Sequence, residues 1–117
     1  MNPETRRQLA RLARQKKRRQ IPADLPCDWC PWRVKQPNTE DLPFSPDAAW
    51  EFIADLLEDI AGQAVEEITL ENPAGRTAYV MKYSFPEGTV YIKVHFDKGR
   101  QNIQGRSFHY SDQGTKQ

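Results

Sequence analysis

Tyr91, Lys93 and His95 stand at alternate positions of one short stretch, and Arg106, Ser107, His109 and Tyr110 crowd into another just after it. In a strand, side chains alternate with period two, so the first three share a face. A hairpin would lay the second stretch alongside. Tyrosine, lysine, histidine and arginine on one surface suit metal-independent cleavage of RNA. A base removes the 2′-hydroxyl proton, an acid protonates the leaving 5′-oxygen, and a cation stabilises the phosphorane. Tyr91, His109, Arg106 and Lys93 are therefore the candidate catalytic residues. A sheet face that is polar only because water covers it fits the same residues, and composition alone favours that account.

The elements that must position these residues are readable nearby. Ser45 suits an N-cap, Pro46 the first helical position, and Asp47 the positive end of the helix dipole. Ala49, Trp50, Ile53, Leu56, Leu57 and Ile60 then recur at helical spacing, with acidic residues on the opposite face and Gly62 as the expected stop. Strands follow. Ala78, Val80 and Lys82 share one face of the second, and Tyr79, Met81, Tyr83 and Phe85 the other, which is expected to cover the helix. Pro86–Gly88 makes a hairpin connection. Val90, Ile92, Val94 and Phe96 alternate with Thr89, Tyr91, Lys93 and His95. A second turn is expected at Asp97, Lys98 and Gly99, and Gly105 in the last strand suggests a bulge.

The strand from Gly88 through Thr-Val-Tyr-Ile-Lys to Val94, followed by Ile103-Gln-Gly-Arg-Ser-Phe-His-Tyr110, resembles the C-terminal hairpin of the MqsR-family toxins. These are RelE-like mRNA interferases of bacterial type II toxin–antitoxin pairs. In that family a Gly-x-Val-Tyr-Leu-Lys strand precedes a Ser-Phe-Lys ending. The resemblance maps the family's strand tyrosine onto Tyr91 and its terminal catalytic lysine onto His109. It covers about the last 25 residues. The family's other active-site Lys and Gln have no alignable counterpart, with Arg76 and Lys82 the cations available to stand in. What the resemblance implies is a metal-independent endoribonuclease acting on RNA, free or on the ribosome, and held in check by a cognate antitoxin protein.

Before the helix, composition changes twice. Residues 1–20 hold eight Lys/Arg and one acid, whereas the rest of the chain holds nine basic and fifteen acidic residues. Such asymmetry points to a polyanion partner or to self-docking on the acidic body. Arg6, Arg7, Arg11, Arg14, Lys16, Lys17, Arg18 and Arg19 are the candidate RNA-binding residues. Residues 3–20 read as a basic helix in waiting, but Leu9, Ala10, Leu12 and Ala13 are too few for a core-facing stripe, so the arm is expected to be disordered alone, to order on a partner and to be dispensable for folding. Residues 21–44 are proline-rich and read as an extended linker, with Trp29, Trp32 and Phe44 as anchors. Cys27 and Cys30 are half of a zinc site at most, so no metal and no cofactor is expected.

The expected fold is α+β: one amphipathic helix packed on a three- or four-stranded antiparallel sheet, spanning residues 45–112, with the arm and linker before it and a tail at 113–117. No apolar run approaches the ~18 residues of a membrane span, and a soluble cytoplasmic protein is the expectation. Beside the endoribonuclease stand two other readings. One is a non-catalytic nucleic-acid- or ribosome-binding module. The other is an interaction protein of phage or mobile-element origin that docks through its acidic helix. Oligomeric state is not legible.

Overall fold

The computed structural model describes residues 2–21, 28–37, 39–71 and 74–111. It holds two α-helices, α1 (Pro3–Ala13) and α2 (Pro46–Glu58), and six strands: β1 (Arg19–Gln20), β2 (Asp28–Trp29), β3 (Glu66–Glu71), β4 (Ala74–Phe85), β5 (Gly88–Asp97) and β6 (Asn102–Tyr110). The α+β class matches expectation. The single helix and the three or four antiparallel strands do not, because the N-terminal segments join both layers.

The strands run in the order β1-β6-β5-β4-β3, with β2 also paired to β6. From β3 to β6 the pairing is antiparallel, whereas β1 and β2 run parallel to β6. β1 lies beside Ile103 and Gln104, and β2 beside Ser107 and Phe108. Each is only two residues long. Together they cover the edge that β6 would otherwise present unpaired.

α2 forms as its sequence dictates. The Ser45 hydroxyl accepts a 3.1 Å bond from the Ala48 N–H, and Pro46 and Asp47 open the first turn. The helix stops at Glu58 rather than running to Gly62. Its last carbonyls are capped from elsewhere in the chain. Arg6 donates from Nε to the Leu57 carbonyl at 2.9 Å and from Nη2 to the Leu56 and Asp59 carbonyls at 2.9 and 3.2 Å. The Leu56 and Asp59 carbonyls also accept from the Asp59 and Gln63 N–H groups, and Arg6 adds a charged donor at the negative end of the dipole. Burial lowers the pKa of Arg6, and the charge of Asp59 partly counters it.

Arg6 lies on α1, so the basic arm is a helix of the core and not an appendage. Asn2 caps it through the Glu4 N–H, and Pro3 takes its first position. Leu9, Ala10, Leu12 and Ala13, thought too few for a stripe, are all buried with Ala49, Ile53 and Leu57 of α2. Two of the four are alanines, and a small side chain lets one backbone approach another closely. Arg14 reaches Glu51, Asp55 and Glu58 on α2, and their hydrogen bonds, Glu58 first, raise its pKa. Arg19 and Lys16 reach Asp47 at 2.7 and 3.3 Å. The charge asymmetry in the sequence is thus met in part within the chain.

The proline-rich segment also departs from an extended linker. Trp29, Val34 and Phe44 are buried in it, while Trp32 is exposed. Trp29 packs 4.9 Å from Trp50, and Phe44 lies 5.1 Å from Phe108. The Asp97–Asn102 turn uses Gln101, at φ 53°, as its left-handed residue in place of Gly99. No helix among the described residues is long and apolar enough to cross a membrane.

Candidate active site on the sheet face away from the helices

β5 sorts its side chains as its alternation requires. Val90, Ile92, Val94 and Phe96 enter the core with both helices, and so do Tyr79, Met81 and Phe85 of β4. Tyr91, Lys93 and His95 point to the opposite face. In the β5–β6 ladder Tyr91 stands opposite His109 and Lys93 opposite Ser107. On the other side Lys82 of β4 stands opposite Tyr91, and Val80 opposite Lys93. Two cross-strand rows result: Lys82–Tyr91–His109, and Val80–Lys93–Ser107.

The Tyr91 and His109 rings lie nearly parallel, inclined by 26° with centroids 5.7 Å apart. Their backbone register holds them as a pair. Nδ1 of His109 is 2.8 Å from the Tyr110 carbonyl oxygen. A carbonyl only accepts, so Nδ1 carries the proton of the neutral ring and Nε2 keeps a lone pair. Nε2 lies 3.9 Å from the Asp28 carboxylate. An imidazolium formed at Nε2 would meet that negative charge. Burial, followed by the charge of Glu66, raises the pKa of Tyr91. The phenol therefore keeps its proton through neutral pH and can give one or donate a hydrogen bond.

β2 adds residues that alternation could not reveal. Trp29 sits beside Phe108 in the core, so its neighbours Asp28 and Cys30 flank it on the other face, and the Cys30 N–H donates to the Phe108 carbonyl at 3.1 Å. Asp28, Cys30, Arg33, His109 and Tyr110 line one recess. A two-residue strand has no periodicity to read, and the only sequence signal in this segment is its cysteine and tryptophan content.

The remaining expected residues are dispersed. Arg106 is the extra residue of the bulge, since Lys93 pairs with Ser107 and Val94 with Gly105. It is buried, 7% exposed. His95 is buried too, its Nδ1 2.6 Å from the Thr77 carbonyl oxygen. Arg76 lines a separate recess with His95 and Lys98. Of the arm's cations, Arg6, Arg14, Lys16 and Arg19 are engaged within the fold, whereas Arg7, Arg11, Lys17 and Arg18 are exposed and make no ion pair among the described residues. α1 packs on the face opposite Tyr91, so Arg7 and Arg11 are remote from the His109 pair. Cys27 lies outside the described residues. Among the described residues no group of three or more His, Cys, Asp or Glu side chains is placed to hold a metal ion.

No protein-family model, no curated protein and no solved structure matches this chain.

Proposed function

We propose that the protein is a metal-independent endoribonuclease of toxin type, acting in the cytoplasm and neutralised by a cognate antitoxin protein. The observation that carries this reading is the register pairing of Tyr91 with His109, flanked by Lys82 and Lys93 on one face. Nε2 of His109 takes the proton from a ribose 2′-hydroxyl, and that oxygen attacks the adjacent phosphorus. The bond to the 5′-oxygen breaks, and the Tyr91 phenol gives that oxygen a proton. The products are a 2′,3′-cyclic phosphate and a free 5′-hydroxyl. The ammonium groups of Lys93 and Lys82 offset charge on the phosphorane. Lys82 stands beside Tyr91 and is the better stand-in for the second cation of the resembling toxins. The test is incubation of purified protein with single-stranded RNA in the presence of a chelator. Fragments ending in cyclic phosphate are expected; intact RNA sinks the reading.

A second reading, a nucleic-acid- or ribosome-binding surface, draws on the exposed Arg7, Arg11, Lys17 and Arg18. Affinity owed to them falls steeply with salt and survives loss of His109. The third, docking of a basic partner on the acidic helix, loses its support. Arg14, Arg19 and Lys16 of the same chain already occupy that face.

A further inference from the structure

We propose that Trp32 and Arg33 form a nucleotide subsite, a base-stacking ring with a phosphate-binding cation, that holds single-stranded RNA beside the His109 recess. The inference rests on the ribonuclease reading for its substrate, and on separate observations for its place.

Of the three tryptophans, Trp29 and Trp50 are buried, whereas Trp32 is 58% exposed. Its backbone is nonetheless held firmly. Trp32 is the middle residue of a 3-10 turn, Pro31–Arg33, whose first residue is buried. The Arg33 N–H donates to the Cys30 carbonyl and the Val34 N–H to the Pro31 carbonyl, at 3.0 and 2.9 Å. Val34 beyond it is fully buried, and the Phe44 N–H donates to its carbonyl at 3.0 Å. The Lys35 N–H then donates to the Tyr110 hydroxyl at 3.3 Å, tying this segment to the end of β6. A large aromatic ring in water, on a backbone fixed at both ends, is a preorganised stacking surface.

Charge and continuity select the occupant. Arg33 follows directly, is exposed, and makes no ion pair among the described residues. It lines the recess that contains His109 and Asp28. An apolar peptide would fill the ring but leave the guanidinium unused. A nucleotide uses both, with its base on the indole and its phosphate on the arginine. Duplex RNA keeps its bases stacked within the helix, so the substrate is single-stranded.

The probe is a short 2′-O-methyl oligoribonucleotide, which lacks the 2′-hydroxyl nucleophile and cannot be cleaved by this route. Titration should quench tryptophan emission in the wild type. Trp32→Ala should abolish the quench and weaken binding by on the order of tenfold, while Trp32→Phe retains most of the affinity. Arg33→Gln should weaken binding and reduce its salt dependence by about one phosphate contact. Unchanged thermal midpoints show that the variants are folded. Equal affinity in Trp32→Ala and wild type overturns the subsite, and so does absence of binding by the wild type. Cleavage of unmodified RNA, followed in parallel, separates the two readings. Cleavage with Trp32-independent binding removes only the subsite. Trp32-dependent binding without cleavage removes only the ribonuclease.

Discussion

The indole of Trp29 rests on the backbone of Gly105 so closely that a Cβ there would stand 2.7 Å from two ring carbons. Glycine is required at this position by contact, not by a left-handed conformation. Gly105→Ala forces the ring or β6 to shift, and overpacking of this kind costs about 1–3 kcal/mol. The thermal midpoint should fall by roughly 4–8 °C for each kcal/mol. Because β2 carries Asp28 and leads into Cys30, near-UV circular dichroism and the environment of His109 should change together. An unchanged midpoint would mean that Trp29 does not lie on β6.

Arg6 should matter to stability more than any other cation of the N-terminal segment. Arg6→Leu removes the charged donor that the Leu56, Leu57 and Asp59 carbonyls share. Losing hydrogen bonds from a charged group costs about 1.5–3 kcal/mol, read as a lower midpoint in thermal or urea unfolding. Arg7→Leu, at an exposed position, is the control and should change little. Deleting residues 2–20 removes α1 and β1 together and should prevent cooperative unfolding. A deletion variant with the wild-type midpoint would refute the packing of α1.

Tyr91→Phe and His109→Ala should each reduce RNA cleavage by ~10²–10⁴-fold and relieve growth arrest on induced expression, with thermal midpoints near wild type. Lys93→Ala should slow cleavage while leaving the fold intact. Arg106→Ala should act differently. Its side chain is buried at the bulge, so the midpoint should drop along with activity. Lys98→Ala, in the exposed turn after β5, should do neither. If toxicity survives both the Tyr91 and His109 substitutions, the chemistry lies elsewhere.

Acid should loosen the contact between residues 16–19, which follow α1, and the start of α2. Hydrogen bonds from Arg19, then Lys16, hold the Asp47 carboxyl below its ordinary range. Such a group stabilises the fold above its unfolded pKa, about 3.9 for Asp, and this contribution is lost as pH falls through the lower folded value. Thermal midpoints measured through that window should decline less steeply in Asp47→Asn than in the wild type. Added salt should mimic part of the decline, because the pair is exposed. Parallel acid limbs for the two proteins would show that Asp47 is not engaged.

What was legible in the sequence is what obeys a period. The alternation of Val90 to Phe96 assigned both faces of β5, and Ser45-Pro46-Asp47 marked the start of α2. The docking of α1 escaped because half of its buried apolar residues are alanines and one of its anchors is an arginine. β1 and β2 escaped because two residues cannot show a pattern. The candidate site divides along the same line. The Tyr91, Lys93 and His109 side chains follow from strand register, whereas Asp28 and Arg33 arrive by a parallel pairing across most of the chain. Gly105 announced the bulge, but no motif states which side chain a bulge withdraws, so the face of Arg106 was not legible.

The pairing of β1 and β2 with β6 also sets an order of events. Arg19 and Asp28 find their sheet partners only at Ile103 and Ser107. During synthesis, then, the first thirty or so residues have no strand to join until nearly all the described chain has been made. Contacts this distant in sequence slow folding, since the long loop must close before its pairing is rewarded. The recess around His109, with one wall from β2 and the other from β6, is therefore among the last features to assemble. A chain interrupted before β6 holds Tyr91 and Lys93 but lacks the His109 that stands opposite Tyr91.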